Sequence, residues 1–231
     1  MVASAAERLT RQSYEGLMHR LLFKPLGMTH AGFGDMSAHG RIDGPWSHIV
    51  KADAITPIAP DRSQAVQTSA PTGRNVHGSI IDLARFAALH IHGAQGRSRF
   101  LRPETFQRLQ TAVPPGNFAP GWAIAHPEWS KGTVLAQNGS NGQNYAVCRV
   151  DPAAGFAVCV TTNLGGDEAS RTCESVLDWL VARVIRQRLT DDGSLASRPV
   201  PPRPDVSLER LTPEKATTGL GQVRINRTAT D

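Results

Sequence analysis

The chain has 231 residues, 40% of them hydrophobic, and a formal charge of +5. That is enough for one substantial core, or for a core with a loose tail. No run approaches the roughly 18 apolar residues needed to span a bilayer, and the opening Met1-Val2-Ala3-Ser4-Ala5-Ala6-Glu7-Arg8 has neither the basic start nor the apolar stretch of a signal peptide. The basic residues are scattered, with no Lys/Arg block and no interleaved aromatic row, which argues against a nucleic-acid partner.

In chain order, residues 2–11 read as the end of a helix carrying Val2, Ala5, Ala6 and Leu9. Ser13 is placed to cap a second short helix bearing Leu17, Met18, Leu21 and Leu22. That helix must stop at Lys24-Pro25-Leu26-Gly27, because proline disfavours helix in the residue before it and glycine permits the turn out. Residues 28–76 are rich in Gly, Pro, Asp, Ser and His with little periodicity, and predict an extended wall with a few short strands.

Ser79 opens the clearest helix. Its hydroxyl can cap the amide three residues on while Asp82 reaches back, and Ile80, Leu83, Ala84, Ala87 and Ile91 follow at helical spacing up to Gly93. A further helix is predicted from Pro103, carrying Phe106, Leu109 and Gln110. Strands are predicted over 121–125, 134–137, 143–150 and 156–162, the last two joined by a turn at Asp151-Pro152-Ala153-Ala154-Gly155. Residues 168–189 then form a long amphipathic helix whose stripe of Cys173, Val176, Leu177, Leu180, Val181, Val184 and Ile185 would pack on the sheet. Beyond it Pro199, Pro201, Pro202 and Pro204 cluster among Thr, Arg, Gly and Asp. The expected division is therefore a folded portion, 1–189, and a Pro-rich disordered tail, 190–231.

Cys148, Cys159 and Cys173 make an odd count without a C-x-x-C spacing. Cys148 and Cys159 flank the hairpin turn and could meet on adjacent strands, but all three occupy apolar positions and read as small buried hydrophobes. His90 and His92 are two apart on a helix and point to opposite sides, so they form no chelate. His30, His39 and His48 recur at regular spacing in a predicted loop, whereas zinc ligands come from tighter spacing on ordered elements. His77 reads as a structural hydrogen-bonding residue. No metal is expected.

Several segments together resemble one family. Tyr14-Glu15-Gly16-Leu17 with Phe23-Lys24-Pro25-Leu26-Gly27-Met28-Thr29, then Gly73-Arg74-Asn75-Val76-His77-Gly78-Ser79 with Asp82-Leu83-Ala84-Arg85-Phe86, then Gly121-Trp122 and Asn138-Gly139-Ser140-Asn141, are similar in order to the class C β-lactamases, penicillin-binding proteins and related esterases. The likeness covers roughly residues 1–188. It implies an α+β fold, β-lactamase/transpeptidase-like, with an antiparallel sheet and flanking helices. It also implies a serine hydrolase that needs no cofactor, acting by acyl transfer on ester, peptide or lactam carbonyls.

The family's chemistry uses a Ser-x-x-Lys, a Tyr-x-Asn or Ser-x-Asn, and a Lys-Thr-Gly or His-Thr-Gly on the last active-site strand. No serine here has lysine three residues on. Ser47 and Lys51 are four apart in a predicted loop, and neither Tyr14 nor Tyr145 begins a Tyr-x-Asn. The nucleophile serine, its lysine and the tyrosine are therefore missing from this sequence. In the family these motifs precede the helix that opens this chain, so the resemblance implies a C-terminal part, incomplete for lack of the N-terminal strands and the nucleophile helix, not catalytically competent alone, marginally stable or aggregation-prone, and completed by an upstream half of the same domain.

Gln137-Asn138-Gly139 occupies the place of the third motif. By the resemblance Gly139 would let substrate lie against the strand, Ser140 would offer its backbone N–H to the oxyanion, and neutral Gln137 would lack the charge that holds a substrate carboxylate. Taken alone, Gln137 to Gly142 has the plainer alternative of a polar strand end and turn. Two functions stay open: a serine hydrolase taking a small-molecule or peptide acyl substrate once completed, and a non-catalytic binding protein reusing the cleft or exposed sheet. The family resemblance points to the periplasm or secretion, although no export signal is visible.

Overall fold

A computed structural model describes residues 2–38, 40–52, 54–60 and 76–191. The amino-terminal helix α1 spans Val2–Thr10, and α2 spans Tyr14–Met18 with Ser13 Oγ accepting from Gly16 N at 3.1 Å. The helix continues through a wider π-type turn, His19–Phe23, into α3 (Lys24–Leu26). It ends as the Lys-Pro-Leu-Gly sequence requires. Gly27 takes the left-handed conformation at φ 65°, Gly27 N bonds Lys24 O and Met28 N bonds Phe23 O, which is the Schellman pairing.

The wall resolves into four short strands. β1 (Gly32–Phe33) pairs with β4 (Val76–His77), and β2 (Ser47–Lys51) pairs with β3 (Ala54–Ile58). Ser47 and Lys51 thus lie on a strand and not in the expected loop, with their Cα atoms about 13 Å apart at strand rise. The separation removes any Ser-x-x-x-Lys pairing between them.

Asp82 holds the amino-terminal segment to the next helix, α4 (Ile80–Ala94). The carboxylate is fully buried and accepts from Ser79 N, from Ser79 Oγ at 2.9 Å and from His30 N at 3.2 Å, while Arg85 Nη1 donates to Gly27 O. Burial would raise its pKa, but these donors outweigh it and hold the carboxyl below the ordinary range. The Ser-x-x-Asp pair therefore serves as both a helix cap and a tertiary tie. The expected stripe on α4 is only partly right. Ala87 and Ile91 are buried with Leu89 and His90, but Ile80 is 43% exposed and Ala84 is exposed. In its first turn α4 buries the polar Asp82, bonded to His30 N, and leaves Ile80 and Ile81 exposed.

α5 (Pro103–Leu109) inserts Phe106 against α4 at Gly93. A Cβ on Gly93 would stand 2.2 Å from Phe106 Cδ1, so only glycine allows this approach. The main sheet has five antiparallel strands in sequence order: β5 (Phe118–Ala119), β6 (Trp122–Ala125), β7 (Val134–Ser140), β8 (Tyr145–Asp151) and β9 (Phe156–Thr162). Ala87 and Ile91 of α4 cover one face over Trp122, Leu135, Cys148 and Val150. α6 (Asp167–Asp191) covers the other, where Cys173, Leu177 and Val181 pack on Tyr145, Val147, Phe156 and Val158. Truncating Leu177 there would cost roughly 2–5 kcal/mol. Apart from the end of α6, the expected tail lies outside the described residues. No helix among the described residues is long and apolar enough to cross a membrane.

Candidate functional site

β7 runs three residues further than its apolar content predicts. Asn138 pairs with Val147, Gly139 with Ala146 and Ser140 with Tyr145, because backbone pairing is indifferent to polar side chains. The turn itself is confined to the next residues. Asn141 Oδ1 accepts from Gln143 N and Asn144 N, and Gly142 takes φ 84°.

On its other side β7 loses its neighbour just before this segment. Pairing with β6 ends at Ala123–Ala136, which leaves Gln137 to Ser140 on an open, exposed strand edge. Gln137 bridges the gap. Its Nε2 donates to Gly121 O at 2.9 Å and its Oε1 accepts from Asn138 N at 2.9 Å. The Asn138 N–H therefore faces the open side, and strand alternation puts the Ser140 N–H on the same side two residues on.

The side chains divide between the two faces. Gln137 and Gly139 share the face of Leu135 and Cys148. Asn138 and Ser140 share the face of Val147 and Tyr145, beneath α6. The amide of Asn138 is engaged there: Nδ2 donates to Tyr145 Oη at 3.0 Å, Tyr145 Oη donates to Glu174 Oε1 at 2.9 Å, and Arg149 Nη2 pairs with Glu174 Oε2 at 3.0 Å. Burial, then the bond to the Glu174 carboxylate, pushes the Tyr145 phenol above its ordinary value, so it stays protonated near neutrality. Ser140 Oγ donates to Asn144 O at 2.8 Å.

Sequence inspection misses Tyr145, Glu174 and Arg149 as the support of this strand. The available signal was alternation, since Tyr145, Val147 and Arg149 share one face of β8. The turn after β7 is also stitched to β2. Asn144 Nδ2 donates to Ser47 Oγ at 2.7 Å, His48 N to Gln143 O, and Gly165 N to His48 O. Gly165 lies so close that an added Cβ would stand 1.9 Å from Gly142 O.

The remaining candidates lie apart. Tyr14 packs edge-on to Phe33 with centroids 5.9 Å apart. His90 is buried in the core while His92 is exposed on the opposite side of α4. His77 Nδ1 bonds Gly34 O, His48 Nδ1 bonds Asn163 O, and His39 lies outside the described residues. No group of three or more His, Cys, Asp or Glu suited to a metal occurs among the described residues. What Gln137 to Ser140 presents is an uncharged strand edge whose Asn138 N–H is held by Gln137 and whose Ser140 N–H faces outward, able to donate to a carbonyl oxygen.

No curated protein matches the sequence. Similar solved structures include an octameric penicillin-binding protein homologue from Pyrococcus abyssi, 18% identical with a TM-score of 0.58, over 78% of this chain and 39% of that one. SurE is likewise 18% identical, with a TM-score of 0.54 over 86% of this chain and 45% of that one, and a structure of SurE with D-Leu aligns at 0.52. The chain therefore spans less than half the length of these neighbours, which share its antiparallel sheet and flanking helices. The beta-lactamase family profile matches residues 1–183, and the chain belongs to the beta-lactamase family.

Proposed function

We propose that Gln137 to Ser140 is the substrate strand of an acyl-transfer site whose nucleophile is contributed by residues outside these 231. The open edge of β7 carries this reading, because it coincides with the family's third motif and turns the Ser140 N–H outward. In the complete site a serine would attack a substrate carbonyl, an acyl-enzyme would form, and water would release it. The Ser140 N–H would bind the developing oxyanion, a contribution of typically a few kcal/mol, while the substrate's extended chain lies against Gly139. Esters and peptides fit better than β-lactams, since Gln137 offers no charge to a carboxylate. The SurE structure with D-Leu makes amino-acid derivatives the first compounds to try.

A second reading is a non-catalytic binding or interaction protein. It is favoured by the engagement of both the Gln137 and Asn138 amides within the protein. The test is to sequence the DNA upstream of Met1, co-express any Ser-x-x-Lys polypeptide it encodes, and assay nitrophenyl esters with a serine-reactive fluorophosphonate probe. The chain alone should neither turn over ester nor take the probe, whereas the pair should do both. Ser140→Pro, which removes the N–H, should lower kcat by about 100-fold or more, and Ser140→Ala, which keeps it, should change little. Probe labelling of the isolated chain would overturn the proposal. A folded but inert complex would leave the binding protein as the function.

A further inference from the structure

We infer that Cys148 and Cys159 form an oxidisable pair, a modification site at which a small-molecule disulfide of the glutathione class closes a cross-strand bridge between β8 and β9. The two residues are direct register partners. Opposed residues of antiparallel strands have Cα atoms about 4.5 or 5.5 Å apart, and both spacings fall within the range a disulfide accepts. Their sulfurs already face each other at 3.0 Å, so bond formation needs about 1 Å of further approach, which side-chain rotation supplies without shifting the strands.

The pair is also asymmetric. Cys148 is buried, whereas Cys159 is half-buried and the more accessible. The hydrogen bond between the two sulfurs lowers the pKa of Cys159, while the same bond and then burial raise that of Cys148. Cys159, the more accessible of the two, is therefore the thiol that deprotonates more readily and reacts first.

The chemistry balances as two exchanges. Cys159 loses its proton to solvent and its sulfur attacks one sulfur of the small disulfide. The S–S bond of that disulfide breaks and releases one thiolate, which takes up a proton as a thiol. The Cys148 sulfur, losing its proton to solvent, then attacks the Cys159 sulfur and expels the second thiol. Two protein thiols have given up two protons and two electrons, and one small disulfide has become two thiols. Cys173 takes no part: it lies on the other sheet face among Leu177 and Val181. The bridge would sit one strand from the candidate site, since Cys148 is also the register partner of Gln137.

The experiment equilibrates the full chain in glutathione buffers of graded oxidised-to-reduced ratio, quenches with acid, alkylates the free thiols and maps the peptides by mass. The expected result is joint loss of two of the three thiols in one transition, a Cys148–Cys159 linked peptide, and Cys173 alkylated throughout. The folded chain should close at a ratio about tenfold or more below that needed in urea. Cys173→Ser should keep the bridge, and Cys148→Ser should abolish it. Full alkylation at every ratio, a bridge to Cys173, or equal closure of folded and urea-unfolded chain would each overturn the assignment. The unsubstituted chain supplies all three readouts, so a poorly folding variant does not decide the result.

Discussion

His90 is a neutral imidazole sealed in an aromatic cage. The rings of Phe86, Phe106 and Trp122 stand 5.1, 6.3 and 5.0 Å from it, and only 4% of its surface is exposed. Trp122 Nε1 donates to His90 Nε2 at 3.3 Å, which leaves the ring proton on Nδ1, a buried atom without a partner among the described residues. Burial lowers the pKa from 6.5 to about 4. The unfolded chain binds this proton near pH 6.5 and the folded chain only near pH 4. The stability owed to neutral His90 is therefore complete above pH 6.5 and is lost as pH falls towards 4. The loss should total on the order of 3 kcal/mol, at up to about 1.4 kcal/mol per pH unit. Urea unfolding at stepped pH, followed by tryptophan fluorescence, should show that slope in the parent chain. His90→Gln should flatten it. An unchanged slope would assign the acid sensitivity to other groups.

At the scale of elements, the site strand depends on contacts with α6 as well as on its own residues. The chain of bonds from Asn138 through Tyr145 to Glu174 and Arg149 ties the polar end of β7 to a helix that begins almost thirty residues later. Tyr145→Phe would leave the Asn138 amide without its acceptor and Glu174 without one of its donors, at a cost of about 1–2 kcal/mol. Glu174→Gln removes the charge that orients both Tyr145 and Arg149. Because the two changes interrupt one network, the double variant should be less destabilised than the sum of the singles by at least about 0.5 kcal/mol in urea melts. Strict additivity would mean that Tyr145 and Glu174 act separately. This network also marks where sequence inspection runs out. The Ser79 cap, the Gly27 turn and the Asp151–Gly155 hairpin were legible because each is decided by residues close in sequence. The extension of β7 to Ser140, the inward turn of Asn138 and the strand through Ser47 depend on partners fixed only by register. The motif at 137–140 could be located in the sequence, but which of its groups face outward could not.

For the molecule as a whole, the main question is what covers the sheet beyond β9. Among the described residues β9 pairs only with β8, so one side of a seven-residue strand presents unpaired backbone groups. Leu9, Phe118 and Ile81 are 86, 64 and 58% exposed. An open strand edge is a template for pairing with another chain, and the exposed apolar side chains, Phe118 of them on β5 at the opposite edge, offer a separate route to association. The isolated chain should consequently self-associate in a concentration-dependent way and bind a hydrophobic dye such as ANS. Thr161 is an exposed position on β9, and Thr161→Lys should shift the sedimentation profile towards monomer, because a charge on an edge strand opposes strand-to-strand pairing. Far-ultraviolet circular dichroism should be unchanged, since the Thr161 side chain lies outside both core clusters. If the unsubstituted chain sediments as a monomer without dye binding, β9 needs no partner and the binding-protein reading gains ground. If it self-associates and the lysine has no effect, association runs through Leu9, Ile81 and Phe118 and not through the strand edge. Dissociation by the lysine would identify the edge of β9 as the surface through which the chain associates.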